Sequence, residues 1–380
     1  MLSTPPLSLY IHFPWCIRKC PYCDFNSHAL RAELPETAYI NALLEDLDQQ
    51  LPKVLDRPII SIFMGGGTPS LFSPVAINYL IDEVKKRLDF SAEIEITLEA
   101  NPGTVEYQRF QGYRAAGVNR LSIGIQSFQD QQLKALGRIH GGDEAINAVI
   151  AAKAAGFTNI NIDLMHGLPN QTLQEGLEDL NKAVELGPTH ISWYQLTIEP
   201  NTEFAVRPPK LPIDDKIWDL QEQGKLQLLK KNYRQYEISA YSQDAYICMH
   251  NQNYWEFGDY LGIGAGAHSK LTNIKERIIT RAWKLKNPKD YLEKKNNFLG
   301  GEKIILEKEL AFEFMLNALR LHYPIPLKLF EQRTGLSIST LTDPLLEAEK
   351  LELLVMQEAN IQLSDRGKRF YNDFVALFLP

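Results

Sequence analysis

Cysteine is scarce in this sequence, and so are long apolar runs and any excess of positive charge. Only four of the 380 residues are cysteine, too few for the disulfide framework of a small secreted scaffold. Lysine and arginine number 40 against 47 aspartate and glutamate, so the formal net charge of −7 gives no general attraction for nucleic acid. The composition therefore excludes a disulfide-stapled protein and disfavours a polyanion-binding one.

Targeting signals are also missing. No Lys or Arg precedes Arg18, and no apolar run approaches the roughly 18 residues of a membrane span. We therefore expect no signal peptide, no transmembrane helix and a reducing, cytoplasmic setting. At roughly 150 residues per domain the length allows two or three domains.

Strand-like and helix-like stretches alternate regularly up to about residue 200. One helical pattern has Ser73 as its N-cap and Pro74 at its first position. Strands that alternate with helices form parallel sheets with right-handed crossovers, so the pattern predicts an α/β fold of six βα units over residues 1–212. The strand candidates lie at 7–13, 58–64, 93–100, 120–126, 159–165 and 190–198.

The remainder of the chain is organised differently. The proline-rich segment 199–212 ends the alternation, and we expect an accessory layer over 213–285 with a strand at EISAYS (237–242). Residues 286–380 resemble a winged-helix-like α+β domain: helices, a strand pair and a closing helix from Asp365. Acidic residues on its third helix argue against DNA binding. The basic stretch 281–303 predicts a solvated linker, with contact to a membrane surface as the alternative.

Three of the four cysteines, Cys16, Cys20 and Cys23, fall within eight residues, whereas Cys248 stands alone. Thiolates at this C-x3-C-x2-C spacing can bind zinc or three irons of a 4Fe-4S cluster. Zinc needs a fourth ligand, which His12 or His28 could supply, but the second C-x2-C pair of many closed zinc sites is missing. In a 4Fe-4S cluster, the fourth iron would be free for a small molecule.

Polar or glycine-rich sequence follows five successive strand candidates, and in barrel-type α/β folds chemistry collects at these carboxyl ends. GGGTP (65–69) is either a tight turn or a backbone edge open to a ligand. Glu99 and Asp163 interrupt apolar strands, and they need either a ligand hydroxyl or amine or an internal partner such as Arg138. The other polar residues at these ends are Asn101, Gln126, Ser127 and His166.

The segment CIRKCPYC (16–23) resembles the signature of the radical S-adenosylmethionine (SAM) superfamily. Across almost the whole chain, YIHFPWC, GGGTP, EANP, GIQSF, NIDLMHGLP and GIGAGAHS resemble its oxygen-independent coproporphyrinogen III oxidase branch. The resemblance implies a partial (β/α)6 TIM-like barrel, a 4Fe-4S cluster held by Cys16, Cys20 and Cys23, and SAM on the open iron. The cofactor contacts it implies are Tyr10, Gly66, Gly67, Thr68, Glu99, Gln126, Arg138 and Asp163.

Two features separate the sequence from the oxidases of that branch. Phe25 stands where the oxidases carry a further cysteine, and HNQNYW (250–255) is similar to the H-N-x-x-Y-W motif of HemW-type heme chaperones. This likeness implies heme bound through His250 and passed to acceptor hemoproteins of respiration or iron storage, with dimerisation accompanying cluster loading. Cys248 is then either a second group beside the heme or a buried spectator thiol.

Two alternatives to a heme chaperone stay open. One is a radical SAM oxidoreductase that decarboxylates a porphyrinogen, and the other is a zinc-stabilised interaction module.

Overall fold

A computed structural model describes residues 1–54, 56–103, 106–293 and 297–380, with the backbone alone at 106–107. Twelve strands of this described part form one mixed sheet. The strands are β1 (Leu7–Phe13), β2 (Ile59–Gly66), β3 (Phe90–Ala100), β4 (Arg120–Gln126), β5 (Asn159–His166), β6 (His190–Gln195), β7 (Arg234–Glu237), β8 (Ala240–Ser242), β9 (Asp259–Ile263), β10 (His268–Asn273), β11 (Ile278–Lys284) and β12 (Leu299–Ile304). Their order across the sheet is β12-β11-β10-β9-β1-β2-β3-β4-β5-β6-β8-β7.

The six predicted strands are β1 to β6, and they pair in parallel in chain order. This confirms the α/β fold with its partial (β/α)6 barrel. The helices of this part of the chain are α1 (Glu36–Val54), α2 (Pro74–Arg87), α3 (Glu106–Ala115), α4 (Asp130–Ala135), α5 (Gly142–Ala154), α6 (Leu173–Leu186), α7 (Glu203–Val206), α8 (Asp214–Lys230), α9 (Met249–Trp255) and α10 (Pro288–Glu293), with a short 3-10 helix at Pro69–Leu71.

The start of α2 follows from its sequence. Ser73 is extended, its hydroxyl accepts a hydrogen bond from the Ala76 amide at 3.2 Å, and Pro74 opens the helix. Both the N-cap and the proline were predicted, because a serine oxygen satisfies an amide that has no intrahelical partner.

Residues 213–285 extend the sheet instead of forming a separate layer. Strand β9 pairs in parallel with β1, and β10 to β12 follow as an antiparallel meander. At the other edge, the single strand predicted over 237–242 is the hairpin of β7 and β8. The carboxylate of Glu237 accepts the amide of Ser239 at 3.0 Å and its hydroxyl at 2.9 Å, which stabilises a turn where the sequence suggested continuous strand.

The basic stretch 281–303 is not a solvated linker: it holds the end of β11, helix α10 and strand β12. Lys284 forms a buried ion pair with Asp46 of α1, and Arg281 pairs with Glu313 at 2.5 Å. These carboxylates lie far away in sequence, so local charge composition could not reveal them. Since β12 pairs with β11, residues 299–304 belong to the large sheet rather than to the tail.

The tail forms a small unit with its own apolar core, which includes Phe314, Phe330 and Phe374. Its order of helices, strand pair and closing helix is the winged-helix-like order expected. The elements are α11 (Glu307–Ala318), a two-residue strand (Ile325–Pro326), α12 (Leu327–Thr334), a 3-10 helix (Ile338–Leu341), α13 (Thr342–Lys350), β13 (Leu354–Gln357), β14 (Asn360–Leu363), α14 (Asp365–Arg369) and α15 (Tyr371–Ala376). Within the described ranges, no helix is long and apolar enough to cross a membrane.

Candidate cluster and cofactor site

The three clustered cysteines lie in the loop after β1, and each sulfur lies within hydrogen-bonding distance of a polar side chain. The Thr68 hydroxyl donates to Cys16 Sγ at 3.4 Å, and Arg138 Nη1 donates to Cys20 Sγ at 3.7 Å. Cys23 Sγ lies 3.7 Å from the hydroxyl of Ser27. All three thiols are free, and hydrogen bonds to sulfur are one of the means by which proteins tune iron–sulfur clusters.

The chemistry of these buried thiols suits a bound metal centre. Burial raises the pKa of the Cys16 and Cys23 thiols, so their thiolates need bound metal to offset the loss of solvation.

Asn26 attaches the cluster loop to the segments that follow β9 and β11, a role that the sequence did not reveal. Its side-chain amide donates to the carbonyls of Ala265 at 2.9 Å and Lys286 at 2.8 Å. Gly266 has φ +81°, and a β-carbon there would lie 2.2 Å from Asn26 Nδ2. The GIGAGAHS motif therefore needs glycine at this position so that the cluster loop can pack against it.

Arg138 is the centre of a hydrogen-bond network at the carboxyl ends of β2 to β4. Its Nη2 donates to Asn101 Oδ1 and to the Gly124 carbonyl, each at 2.6 Å. Asn101 in turn donates to the Thr68 hydroxyl oxygen at 2.9 Å, which continues the network to Cys16. The internal pair of Glu99 with Arg138, one of the two partners considered for this carboxylate, is absent from the ion pairs of the described residues.

Glu99 and Asp163 bring two carboxyl groups into the barrel interior. Glu99 Oε2 accepts the Gly66 amide at 3.1 Å, and burial together with the neighbouring Asp163 raises the pKa of Glu99 to about 8. Burial also raises the pKa of Asp163, whose oxygens accept from Asn161 at 2.7 Å and Ser122 at 3.1 Å. A ligand amine or hydroxyl pair placed here would offset the cost of two buried carboxyls.

The glycines of GGGTP allow close packing, and the backbone amides from Gly66 to Thr68 donate hydrogen bonds within the protein. The amides of Gly67 and Thr68 donate to the carbonyls of Phe13 and Trp15, each at 2.7 Å, while that of Gly66 goes to Glu99. A β-carbon on Gly67 would lie 2.5 Å from the Trp15 carbonyl oxygen. These hydrogen bonds attach the cluster loop to the end of β2, and the role of Gly66, Gly67 and Thr68 as cofactor contacts stays a prediction.

Tyr10 and Gln126 also lie inside the barrel. The Tyr10 hydroxyl and His12 Nδ1 are 3.0 Å apart, and burial raises the pKa of this phenol. Gln126 has φ +70°, and its side-chain oxygen accepts from Tyr194 at 2.8 Å. Strained backbone of this kind is concentrated at functional sites.

A cavity of about 360 Å³ adjoins the cluster loop, within the size range of small-molecule sites. Cys16, Cys20, Thr68 and Arg138 line it, whereas Tyr10, Glu99, Gln126 and Asp163 lie outside its wall. The predicted cofactor residues thus fall into two groups, one at the cavity and one in the barrel interior. Their role as contacts to SAM stays a prediction.

His250 lies deep in the structure on α9, well away from the thiols along β1. Its side chain is 2% exposed, Nδ1 is 3.0 Å from the Ser61 hydroxyl, and Nε2 has no partner among the described residues. The ring lies against Phe63 at 5.0 Å and Tyr254 at 5.1 Å between centroids. Ligation of heme iron by His250 would therefore require α9 to move, and that role stays a prediction.

Cys248 is buried beside the same helix. Its thiol donates to Glu95 at 3.5 Å, and burial raises the pKa of this cysteine to about 12. A protonated, fully enclosed thiol is the environment expected of a spectator cysteine.

Comparisons with known proteins agree with this arrangement. Residues 10–183 match the radical SAM superfamily, and residues 305–370 match the HemN C-terminal domain. The chain is 54% identical over 383 residues to the heme chaperone HemW of Haemophilus influenzae, covering 100% of this chain and 99% of that protein. It is 49% identical over 379 residues to the heme chaperone HemW of Escherichia coli, covering 100% of both.

A solved structure shares the fold. Coproporphyrinogen III oxidase (HemN) of Escherichia coli, a radical SAM enzyme, matches with a TM-score of 0.83 and 24% identity, and the match covers 99% of this chain and 90% of that one. The radical SAM superfamily implies a 4Fe-4S cluster and SAM, and the three free thiols after β1 suit such a cluster. The barrel, the cysteine loop and the similarity along the full chain together show that the chain belongs to the radical SAM superfamily and, within it, to the HemW family.

Proposed function

We propose that this protein is a heme chaperone that acts in the cytoplasm, binding heme and passing it to acceptor hemoproteins of respiration or iron storage. The observation that carries the proposal is the 54% identity to a heme chaperone along the whole chain. The full length matters, because the barrel alone is common to radical SAM proteins of many activities.

In this proposal Cys16, Cys20 and Cys23 hold the cluster, and SAM binds at its fourth iron. The cluster supplies a redox-active iron centre when bound. Thr68 and Arg138 orient the thiols through the hydrogen bonds at 3.4 and 3.7 Å, and the adjoining cavity of about 360 Å³ receives the small molecule.

Phe25 supports a chaperone over a decarboxylase. The resemblance to the oxidase branch calls for a cysteine at this position, and Phe25 instead has 62% of its surface exposed next to the thiols.

Anaerobically reconstituted protein tests the proposal. We expect stoichiometric hemin binding by Soret absorbance, transfer of that heme to an apo-cytochrome, and no decarboxylation of coproporphyrinogen III. A Cys16→Ala, Cys20→Ala, Cys23→Ala variant is the control for the cluster, and we expect it to lose iron and sulfide. Decarboxylation by the wild type, or failure to take up hemin, would overturn the proposal.

A further inference from the structure

Helix α9 carries the histidine motif in a position that encloses His250. The side chain of His250 is 2% exposed, its Nε2 has no partner among the described residues, and its ring lies against Phe63 and Tyr254. A buried ring nitrogen without a partner fits an iron ligand, but a macrocycle as large as heme cannot reach an enclosed ring. The contacts that hold α9 in this position therefore compete with heme for His250.

The carboxylate of Glu95 on β3 accepts three hydrogen bonds from the residues that begin α9. The amides of Met249 and His250 donate to it at 3.2 and 3.3 Å, and the Cys248 thiol donates at 3.5 Å. Glu95 is 6% exposed, so these hydrogen bonds form away from water, where a carboxylate without donors is unfavourable. Glu95 therefore attaches α9 to the barrel.

A second partner of Glu95 lies close by without being hydrogen-bonded to it. Arg120 of β4 is 2% exposed, and its Nε lies 3.9 Å from Glu95 Oε2, beyond hydrogen-bond distance. This Nε has no hydrogen-bond partner among the described residues, which is unfavourable for a buried N–H group. The contacts of Glu95 with α9 thus leave Arg120 without a hydrogen bond that it could form if the helix moved away.

We infer that Glu95 is a latch for α9 with two alternative partners. With α9 in place, the carboxylate binds the three donors of the helix, and His250 is enclosed. With α9 displaced, the carboxylate binds Arg120, and His250 is open to heme. The inference rests on the proposed function and adds how access to its predicted heme ligand is controlled.

The latch has a consequence that an ordinary buried contact does not have. Because heme binds only the displaced form, its observed affinity depends on the fraction of molecules in which α9 is displaced. A substitution that weakens the contacts between Glu95 and α9 should therefore strengthen heme binding. A substitution that removes Arg120 should weaken it, because the displaced form loses its partner for Glu95.

Two substitutions at Cys248 change one latch contact in opposite directions. Cys248→Ala removes the donor, and Cys248→Ser replaces a weak thiol donor by a hydroxyl, which binds a carboxylate more strongly. In Soret titrations of the full-length, cluster-loaded protein, we expect hemin to bind Cys248→Ala about fivefold more tightly than the wild type and Cys248→Ser about fivefold more weakly. In the heme-free protein, the amides of α9 should exchange hydrogen for deuterium faster in Cys248→Ala and more slowly in Cys248→Ser.

Arg120→Met removes the second partner of the latch. We expect α9 to exchange more slowly and hemin to bind more weakly, even though the loss of a buried cation lowers the free energy of unfolding. Urea titrations measure that loss, and circular dichroism melting shows whether each variant folds. A merely structural role for Arg120 would instead speed the exchange of α9 as stability falls.

The outcomes separate the two proposals. Hemin binding by the wild type, with the same affinity and the same exchange of α9 in the folded variants, would overturn the latch and leave the chaperone intact. Weaker hemin binding by Cys248→Ala, or faster exchange of α9 in folded Arg120→Met, would equally overturn the latch. No stoichiometric hemin binding by the wild type would overturn the proposed function and, with it, the latch as a control on heme access.

Discussion

The Thr68 hydroxyl donates a hydrogen bond to Cys16 Sγ at 3.4 Å while accepting one from Asn101 at 2.9 Å. A side chain from the end of β2 therefore connects a cluster thiol to the Arg138 network, so the electronic properties of the cluster depend on residues outside its loop.

Replacing Thr68 with valine tests this connection. Thr68→Val keeps the shape but removes the donor, and a hydrogen bond to sulfur stabilises the more negatively charged, reduced cluster. We expect a lower reduction potential with unchanged iron content, measured by a redox titration followed by electron paramagnetic resonance. Thr197→Val, whose exposed hydroxyl contacts Glu199 at 2.8 Å, is the matched control. An unchanged potential in Thr68→Val would contradict the role of this bond.

Replacing Arg138 with lysine should destabilise the fold even though the charge is kept. The guanidinium donates to Asn101, Gly124 and Cys20 at once, and an ammonium cannot reproduce that geometry. We expect the free energy of unfolding to fall by about 2 kcal/mol in urea titrations. Arg234→Lys, at an exposed pair with Asp244 3.8 Å away, should change it little, and equal effects at both positions would refute the argument.

The contribution of Glu99 to the stability of the protein without cofactors should decrease as pH rises from about 4.5 to about 8. Glu99 has its pKa raised from 4.5 to about 8 by burial and by Asp163, so over this interval the folded state holds a proton that the unfolded state has lost. Because the folded state binds this proton more tightly than the unfolded state, protonation of Glu99 favours folding at low pH. The stabilisation is lost as the pH rises through the pKa that Glu99 has in the folded state.

Urea titrations at pH 5, 6.5 and 8 measure this dependence. Glu99→Gln keeps the shape without the titration, so the stability of the wild type relative to this variant should fall as pH rises, while the buried histidines affect both proteins alike. A difference between the two proteins that stays constant from pH 5 to pH 8 would show that Glu99 does not have this effect.

The buried pair of Lys284 and Asp46 links β11 to α1, and its two side chains are 2% and 0% exposed. Lys284→Met leaves the Asp46 carboxylate without its cation, which we expect to cost about 3 kcal/mol of unfolding free energy. Adding Asp46→Asn removes the stranded charge and keeps an acceptor for the Tyr291 hydroxyl and the Gly264 amide, so the double variant should regain most of the loss. Lys289→Met, from an exposed pair with Glu293, is the control, and a double variant less stable than Lys284→Met would contradict this explanation.

The barrel and the cluster loop could be predicted from the sequence because their signals are local. Each of the six parallel strands is a short apolar stretch, and the thiols lie within eight residues. The capping of α2 by Ser73 is likewise a property of four consecutive residues.

The parts that could not be predicted depend on contacts between distant residues. Asp46 and Lys284 are 238 positions apart, and Asn26 meets the Lys286 carbonyl across 260. The burial of His250 was also beyond sequence analysis, because the seven residues of α9 do not specify which side of the helix faces the barrel.

The position of β1 in the sheet has a consequence for how the protein is made. This strand is synthesised well before β9, yet it pairs with β9 on one side, and the loop behind it is held by Ala265 and Lys286. Until translation has passed Lys286, the three thiols therefore lie on a loop that lacks these supports. Iron and sulfide are best delivered after translation has passed this point, when the thiols are held in place by the last strands of the sheet.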